Sequence, residues 1–352
     1  MRIAQVAPLF ESVPPRGYGG TERVVAWLTD ELVRRGHEVT LFATADSRTE
    51  AELVPCAPRA LRNGGRCLDG VPWHVSMLER VASRASGLDV IHFHCDVLHL
   101  PLARRLATPS LTTLHGRLDQ PGLEELYDLF GDAGLVSISD AQRAPIPHAR
   151  WLGTVHHGLP LDESGLGDGR GDYLVFLGRI SRDKRPDRAI EIAQRAGMPL
   201  KIAAKIDAAD RPYFDREIRG RLEHPLIEML GERGEADKAT LLGGARALLF
   251  PIDWPEPFGL VMIEAMARGT PVIAFRCGSV PEIVEHGVTG FVVDDLEEAV
   301  DAGRRAGELD RAHIRRRVAR RFSVSAMTDA YLRLYQGLVT ERSPRPLRRV
   351  VG

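Results

Sequence analysis

Pro255-Glu256-Pro257-Phe258-Gly259-Leu260 places a carboxylate between two prolines, just ahead of a glycine and an apolar run that reads as a helix. The prolines fix φ and stiffen the loop, and the glycine permits close approach of a ligand to the backbone. A helix start also offers unpaired N–H groups to phosphate or sugar oxygens. Glu264 follows among Met262, Ile263, Ala265 and Met266, where a carboxylate requires partners; paired sugar hydroxyls would serve. By spacing alone, an exposed loop acid and a surface helix acid fit equally well.

Gly178-Arg179-Ile180-Ser181-Arg182-Asp183-Lys184 follows an apolar strand-like run. Arg179 can grip phosphate through its fork and Lys184 as a point charge, offsetting the charge that grows on a diphosphate leaving group. Taken alone, the same residues suit a solvated basic turn. Gly17-Tyr18-Gly19-Gly20-Thr21-Glu22 sits between a strand and a helix, so its amides could face an anion. It is not a dinucleotide fingerprint, because Glu22 stands where the third glycine belongs, and it lacks a P-loop's Gly-Lys-Ser/Thr. A tight connecting loop is the plainer alternative. His115 closes the strand-like run 110–114, at an end where ligands bind. His92, His94 and His99 near Cys95 suggest a metal only weakly, and strand-end packing with acceptor contact is favoured over zinc.

These residues need rigid elements to hold them. Strand signals at 2–7, 38–43, 90–93, 110–114, 136–138 and 154–155 alternate with helical ones, notably 21–35 with Val24, Val25, Leu28, Leu32 and Val33 on one face. A loop rich in Gly and Asp at 162–172 interrupts the pattern. Alternation restarts with strands at 173–177, 200–204, 247–250 and 271–275 and helices at 186–196 and 260–268. A last helix, 325–339, carries a continuous apolar stripe through Met327, Ala330, Tyr331, Leu334, Tyr335 and Leu338, and must pack against something. Alternating strands and helices imply parallel sheets covered on both faces, hence two doubly wound α/β domains.

Composition agrees. The 352 residues exceed what one core usually holds, and 44% hydrophobic with 27% charged content is that of a globular chain. A net charge of −1 gives no attraction to nucleic acid. No apolar run is long enough to span a membrane, and no leader pattern opens the chain, so a cytoplasmic location is expected. The four cysteines, Cys56, Cys67, Cys95 and Cys277, form no C-x-x-C pair and are expected reduced and structural.

Together these stretches resemble the family 4 retaining glycosyltransferases of the GT-B fold, the group of sucrose synthases, phosphatidylinositol mannosyltransferases and many bacterial polysaccharide enzymes. The match runs from Gly19-Gly20 through Gly178-Arg179, Lys184 and Glu256–Glu264 to Gly278-Ser279-Val280-Pro281-Glu282 and the closing helix. The resemblance implies two Rossmann-like domains facing a central cleft: residues 1–162 on the acceptor side and 172–322 on the nucleotide-sugar side. Residues 323–340 would be a helix packing back across the junction, and 341–352 a basic tail. Arg179 and Lys184 would bind the donor diphosphate, and Glu256 the hydroxyls of the transferred sugar. The amides of Phe258, Gly259 and Leu260 would touch sugar and phosphate, and Glu264 the ribose. Gly19 and Gly20 would approach the diphosphate from the first domain, and His115 would lie beside the reacting carbon. The family's usual Asn-Gly at the end of the first domain appears here as His157-Gly158.

The expected activity is transfer of a hexosyl group from a UDP-sugar, or alternatively a GDP-sugar, to a hydroxyl acceptor, with no metal or other cofactor. Acceptor contacts are expected from the loops 8–20 and 61–73. The near-neutral first domain does not point to peripheral membrane binding. A nucleotide-sugar epimerase of the same architecture, a nicotinamide-dependent oxidoreductase using Asp46, and a non-catalytic sugar-nucleotide binder are the alternatives. The sequence leaves oligomeric state, acceptor and pathway open.

Overall fold

The structure is a computed structural model that describes the chain apart from Tyr18, Gly64, Gly65, Leu68, residues 162–164 and 343–352, and the side chains of 63–68 and Arg342. Most of the expected basic tail, part of the 162–172 loop and part of the 61–73 loop therefore lie outside the described residues. The chain divides into two compact units: Met1–Ile138 with Pro145–His156 and Val324–Gly352, and Ser139–Ala144 with His157–Ser323.

The first unit is built on seven parallel strands, β1 (Arg2–Val6), β2 (Glu38–Thr44), β3 (Glu52–Ala57), β4 (Val90–Phe93), β5 (Ser110–Thr113), β6 (Leu135–Ser137) and β7 (Trp151–Thr154), in the order 3-2-1-4-5-6-7. Ile3, Val6, Leu41, Phe42, Ile91 and Phe93 are buried, as expected for a sheet covered on both faces. β3 escapes a reading by pattern because Pro55 interrupts it. It lies at the sheet edge, where a missing donor costs little. The helix Gly20–Arg34 buries Val24, Val25, Leu28 and Leu32. Gly36 at φ +81 stops it, its N–H donating to the Val33 carbonyl while that of His37 donates to Leu32.

The last helix, Val324–Arg342, belongs to this first unit. Its stripe packs inward, with Met327, Tyr331 and Tyr335 buried, while the Arg35 guanidinium donates to Ser325 Oγ at 2.8 Å.

The second unit repeats the plan with six parallel strands: β8 (Leu174–Arg179), β9 (Leu200–Lys205), β10 (Ile227–Met229), β11 (Ala247–Phe250), β12 (Val272–Phe275) and β13 (Gly290–Val293), ordered 10-9-8-11-12-13. Helices Pro186–Ala196 and Leu260–Ala267 lie where the sequence places them. Apart from Ser139–Ala144, this unit runs continuously from His157, ahead of the Gly/Asp-rich loop. The N–H of Leu159 donates to the Phe322 carbonyl at 2.9 Å. Those of Gly167, Gly169 and Gly171 donate to carbonyls of Arg268, Gly243 and Gly244. What reads as a spacer is thus bonded along the second unit.

Candidate active site

In a parallel sheet of this order the strand order reverses between the first and fourth strands, and the crevice at their carboxyl ends is where a doubly wound domain binds its ligand. In the second unit those strands are β8 and β11. Arg179 ends β8 and the loop after it carries Lys184, while the loop after β11 carries Glu256. Topology alone therefore brings together residues far apart in sequence. The loops are laced to each other: Asp253 N–H donates to the Asp183 carbonyl at 3.0 Å, and Arg185 and Arg188 reach the Asp253 carboxylate at 2.7 and 3.2 Å.

At the meeting point the Lys184 ammonium is ion-paired with the Glu256 carboxylate. Both side chains are largely shielded, at 19% and 12% exposure. The ammonium also lies 4.7 Å from the ring centroid of Trp254 and 5.6 Å from that of Phe250. Aromatic faces attract such a cation without neutralising it.

Glu256 is braced from behind. Ser279 N–H donates to the Glu256 carbonyl at 3.0 Å, and Ser279 Oγ–H to that of Phe258 at 2.9 Å. Gly278 has φ +55, and a β-carbon there would lie 2.4 Å from the Glu256 nitrogen, so only glycine fits. Gly259, at φ +80, turns the chain into the helix Leu260–Ala267. A β-carbon there would lie 2.7 Å from Met262 Cε, so the tip of that methionine would have to move. Phe258 is buried, its ring centroid 4.8 Å from that of His157. Glu264 is half-buried on the same helix, among the fully buried Met262, Ile263, Ala265 and Met266.

Arg179 ends β8 with its guanidinium facing three carboxylates: Asp210 at 3.3 Å, Asp183 at 3.5 Å and Asp207 at 3.9 Å. Its side chain remains 41% exposed. Burial pushes the Asp210 carboxyl up, and the neighbouring Asp183 and Asp207 add to this against the pull of Arg179.

In the first unit the reversal falls between β1 and β4. The helix beginning at Gly20 follows β1, with Gly19 packed so closely that a β-carbon would lie 2.8 Å from Pro15 Cβ and 3.1 Å from Glu22 Oε2. Glu22 is only 6% exposed, and burial pushes its carboxyl up to about 7. Asp46 is occupied locally, accepting from Thr44 Oγ1 at 2.7 Å and the Ala60 N–H at 3.1 Å. His115 lies just past β5, its Nε2 2.9 Å from His94 Nδ1. Burial lowers His115 to about 3, keeping the imidazole neutral. His92 and His99 engage Thr113 and Thr112 at 2.7 and 2.6 Å. Among the described residues, no group of three His, Cys, Asp or Glu is arranged to hold a metal ion.

The structure thus joins Lys184 to Glu256 at one crevice, with Arg179, Phe258, Gly259, Leu260 and Glu264 on the elements that form it. Gly19, Gly20 and His115 sit on strand ends and a helix start of the first unit. Inspection of motifs passes over Trp254, the three aspartates around Arg179, and Gln5, Tyr331 and Tyr335 beside the histidines. Gln5 does leave a trace, as the one polar side chain in the middle of Arg2–Val6.

Residues 18–162 match the family described as Glycosyltransferase Family 4, and residues 162–315 match Glycosyl transferases group 1. D-inositol 3-phosphate glycosyltransferase of Mycolicibacterium smegmatis is 28% identical over 411 aligned positions, covering 95% of this chain and 90% of that protein. The enzyme of the same name from Mycobacterium tuberculosis is 28% identical, covering 90% and 78%. AviGT4, a glycosyltransferase involved in avilamycin A biosynthesis, superposes with a TM-score of 0.71 at 27% identity, over 97% of this chain and 98% of that one. Sucrose-phosphate synthase from Thermosynechococcus elongatus shares the fold, with a TM-score of 0.78 at 20% identity over 97% and 99%. Two doubly wound parallel sheets, and family matches that follow one another along almost the whole chain, make this protein a GT-B glycosyltransferase of family 4, group 1.

Proposed function

We propose that the enzyme transfers a hexosyl group from a nucleoside-diphosphate sugar, with UDP-sugars favoured over GDP-sugars, to a hydroxyl acceptor with retention of anomeric configuration and without a metal. The contact between Lys184 and Glu256 carries this proposal. It pairs a cation suited to a diphosphate with a carboxylate suited to sugar hydroxyls, at the ligand-binding end of a doubly wound sheet. Arg179 supplies the second charge. The amides of Phe258, Gly259 and Leu260 would touch sugar and phosphate, and Glu264 would hold the ribose. In the first unit, Gly19 and Gly20 would face the diphosphate and His115 the sugar.

Retention follows from attack on the face the leaving group departs from. The acceptor oxygen bonds to the anomeric carbon as its bond to the diphosphate oxygen breaks, and the acceptor's proton passes to that leaving oxygen. Catalysis is then mainly positioning and stabilisation of charge on the diphosphate.

A panel of UDP-, GDP- and ADP-sugars, assayed for nucleotide release with and without EDTA, tests this. D-inositol 3-phosphate belongs among the acceptors, because the relatives act on it by name. The expected result is release of one nucleoside diphosphate that survives chelation and a product with the donor's anomeric configuration. Release that disappears with EDTA and returns with Mn²⁺ or Mg²⁺, or an inverted product, overturns the corresponding part.

A further inference from the structure

Seven buried or half-buried polar side chains of the first unit form one unbroken hydrogen-bonded chain ending at His115. Gln5 is its third member, after His115 and His94. Its Nε2 donates to the Tyr335 hydroxyl at 3.1 Å, and its Oε1 lies 2.8 Å from His94 Nε2. Only a protonated nitrogen can serve there, so His94 carries its proton on Nε2 and presents Nδ1 as an acceptor. His115 Nε2, 2.9 Å from that Nδ1, must then be the donor. On the other side, Tyr335 accepts from Gln5 and donates to His92 Nδ1 at 2.7 Å. His92 Nε2–H donates to Thr113 Oγ1 at 2.7 Å, which pairs with the Tyr331 hydroxyl at 2.9 Å. Once the Gln5 amide is oriented, each donor fixes the next.

We infer that Gln5, His94 and Tyr335 are positioning residues that hold His115 as the neutral Nε2–H tautomer, leaving Nδ1 as the acceptor for a sugar or acceptor hydroxyl. The inference rests on the role proposed above for His115. It gives the terminal helix a part in the site, since Tyr335 is supplied by Val324–Arg342. It also gives a reason for a glutamine within the otherwise apolar buried stretch of β1. An amide joins a donor and an acceptor in one rigid group, so it transmits direction where a hydroxyl would rotate. Every member is partnered, as a buried polar network requires. The opposite orientation of the Gln5 amide would reverse every donor and place the proton on His115 Nδ1, so the tautomer itself is the test.

Long-range proton–nitrogen correlation spectra of the protein labelled with ¹⁵N-histidine report the tautomer without any ligand. His115, assigned by loss of its signals in His115→Ala, should show a protonated Nε2 and an unprotonated Nδ1 between pH 6 and 8. Gln5→Leu, close to isosteric, and Tyr335→Phe, which keeps the ring, should mix the two tautomers. Turnover, read as UDP release from whichever of UDP-glucose, UDP-galactose and UDP-N-acetylglucosamine is active, should fall about tenfold in each, as for one lost hydrogen bond of about 1.4 kcal/mol. The KM for donor should change little. A His115 protonated on Nδ1 in the wild type overturns the inference. So does an unchanged tautomer and turnover in both folded variants while His115→Ala is impaired. If His115→Ala turns over like the wild type, the site role of His115 fails instead, whatever the tautomer.

Discussion

Lys184 and Glu256 are in direct ionic contact although 72 residues separate them, and the crevice between β8 and β11 is what joins them. Under the proposed function each would meet a different part of a sugar nucleotide, so donor binding would exchange this pair for contacts with phosphate and hydroxyls.

Lys184→Ala should therefore lower turnover more than it weakens binding of UDP. Contacts to the diphosphate strengthen as charge develops on it. A charged hydrogen bond is worth about 1.5–3 kcal/mol, giving a loss of roughly ten- to a hundredfold. Arg179→Lys should be only partly active, because an ammonium lacks the guanidinium fork. Steady-state kinetics on variants of matched melting temperature measure both. Wild-type turnover at saturating donor would reduce the 178–184 loop to a basic turn.

Glu256→Gln should separate the two halves of the donor. The amide preserves shape but no longer holds the Lys184 ammonium electrostatically. UDP should bind at least as tightly as to the wild type, while turnover of the UDP-sugar falls about tenfold or more for loss of a charged hydrogen bond to the sugar. Isothermal titration with UDP, set beside kinetics, gives the comparison. Weaker UDP binding with unchanged turnover is the opposite pattern and would remove Glu256 from the sugar.

Gly278→Ala should destabilise the second unit and disturb Glu256 together. An alanine would have to adopt φ +55 with its methyl 2.4 Å from the Glu256 nitrogen. Strain of this kind costs about 1–3 kcal/mol, or roughly 2–12 °C in melting temperature for a unit of this size. Calorimetry and the donor KM should move together. Stability loss without any change in KM would mean the brace does not set the position of Glu256.

Glu22 makes stability depend on pH. Burial raises its carboxyl to about 7 from a reference of 4.5, so in this interval the folded state binds more proton than the unfolded state. The protonated carboxyl's contribution is complete below the unfolded value and is lost as pH rises through the folded one. Glu22→Gln should accordingly flatten the fall in stability between pH 4.5 and 7, a difference of up to about 3 kcal/mol at 1.36 kcal/mol per unit. Urea unfolding at pH 5 and pH 7.5 reads it directly. An unaltered pH slope would show that Glu22 titrates alike in both states.

Much of this molecule was determined by local sequence, for a physical reason. Runs such as 174–177 and Ala247–Phe250 are apolar because both faces of a parallel sheet are covered. The helix Gly20–Arg34 shows its buried face at the helical period, and Glu256 announces itself through flanking prolines and Gly259. Order along the chain was enough to recognise two doubly wound units and the elements bearing Arg179, Lys184, Glu256 and His115. Pairing across the sheets was not written there. The β8–β11 neighbourhood that unites Lys184 with Glu256, the three aspartates around Arg179, and the tyrosines of the last helix beside Gln5 and His92 all arise from contacts between distant segments. A buried polar group looks the same in sequence whether its partner is water, a ligand or a tyrosine 330 residues away, and only the tertiary structure says which.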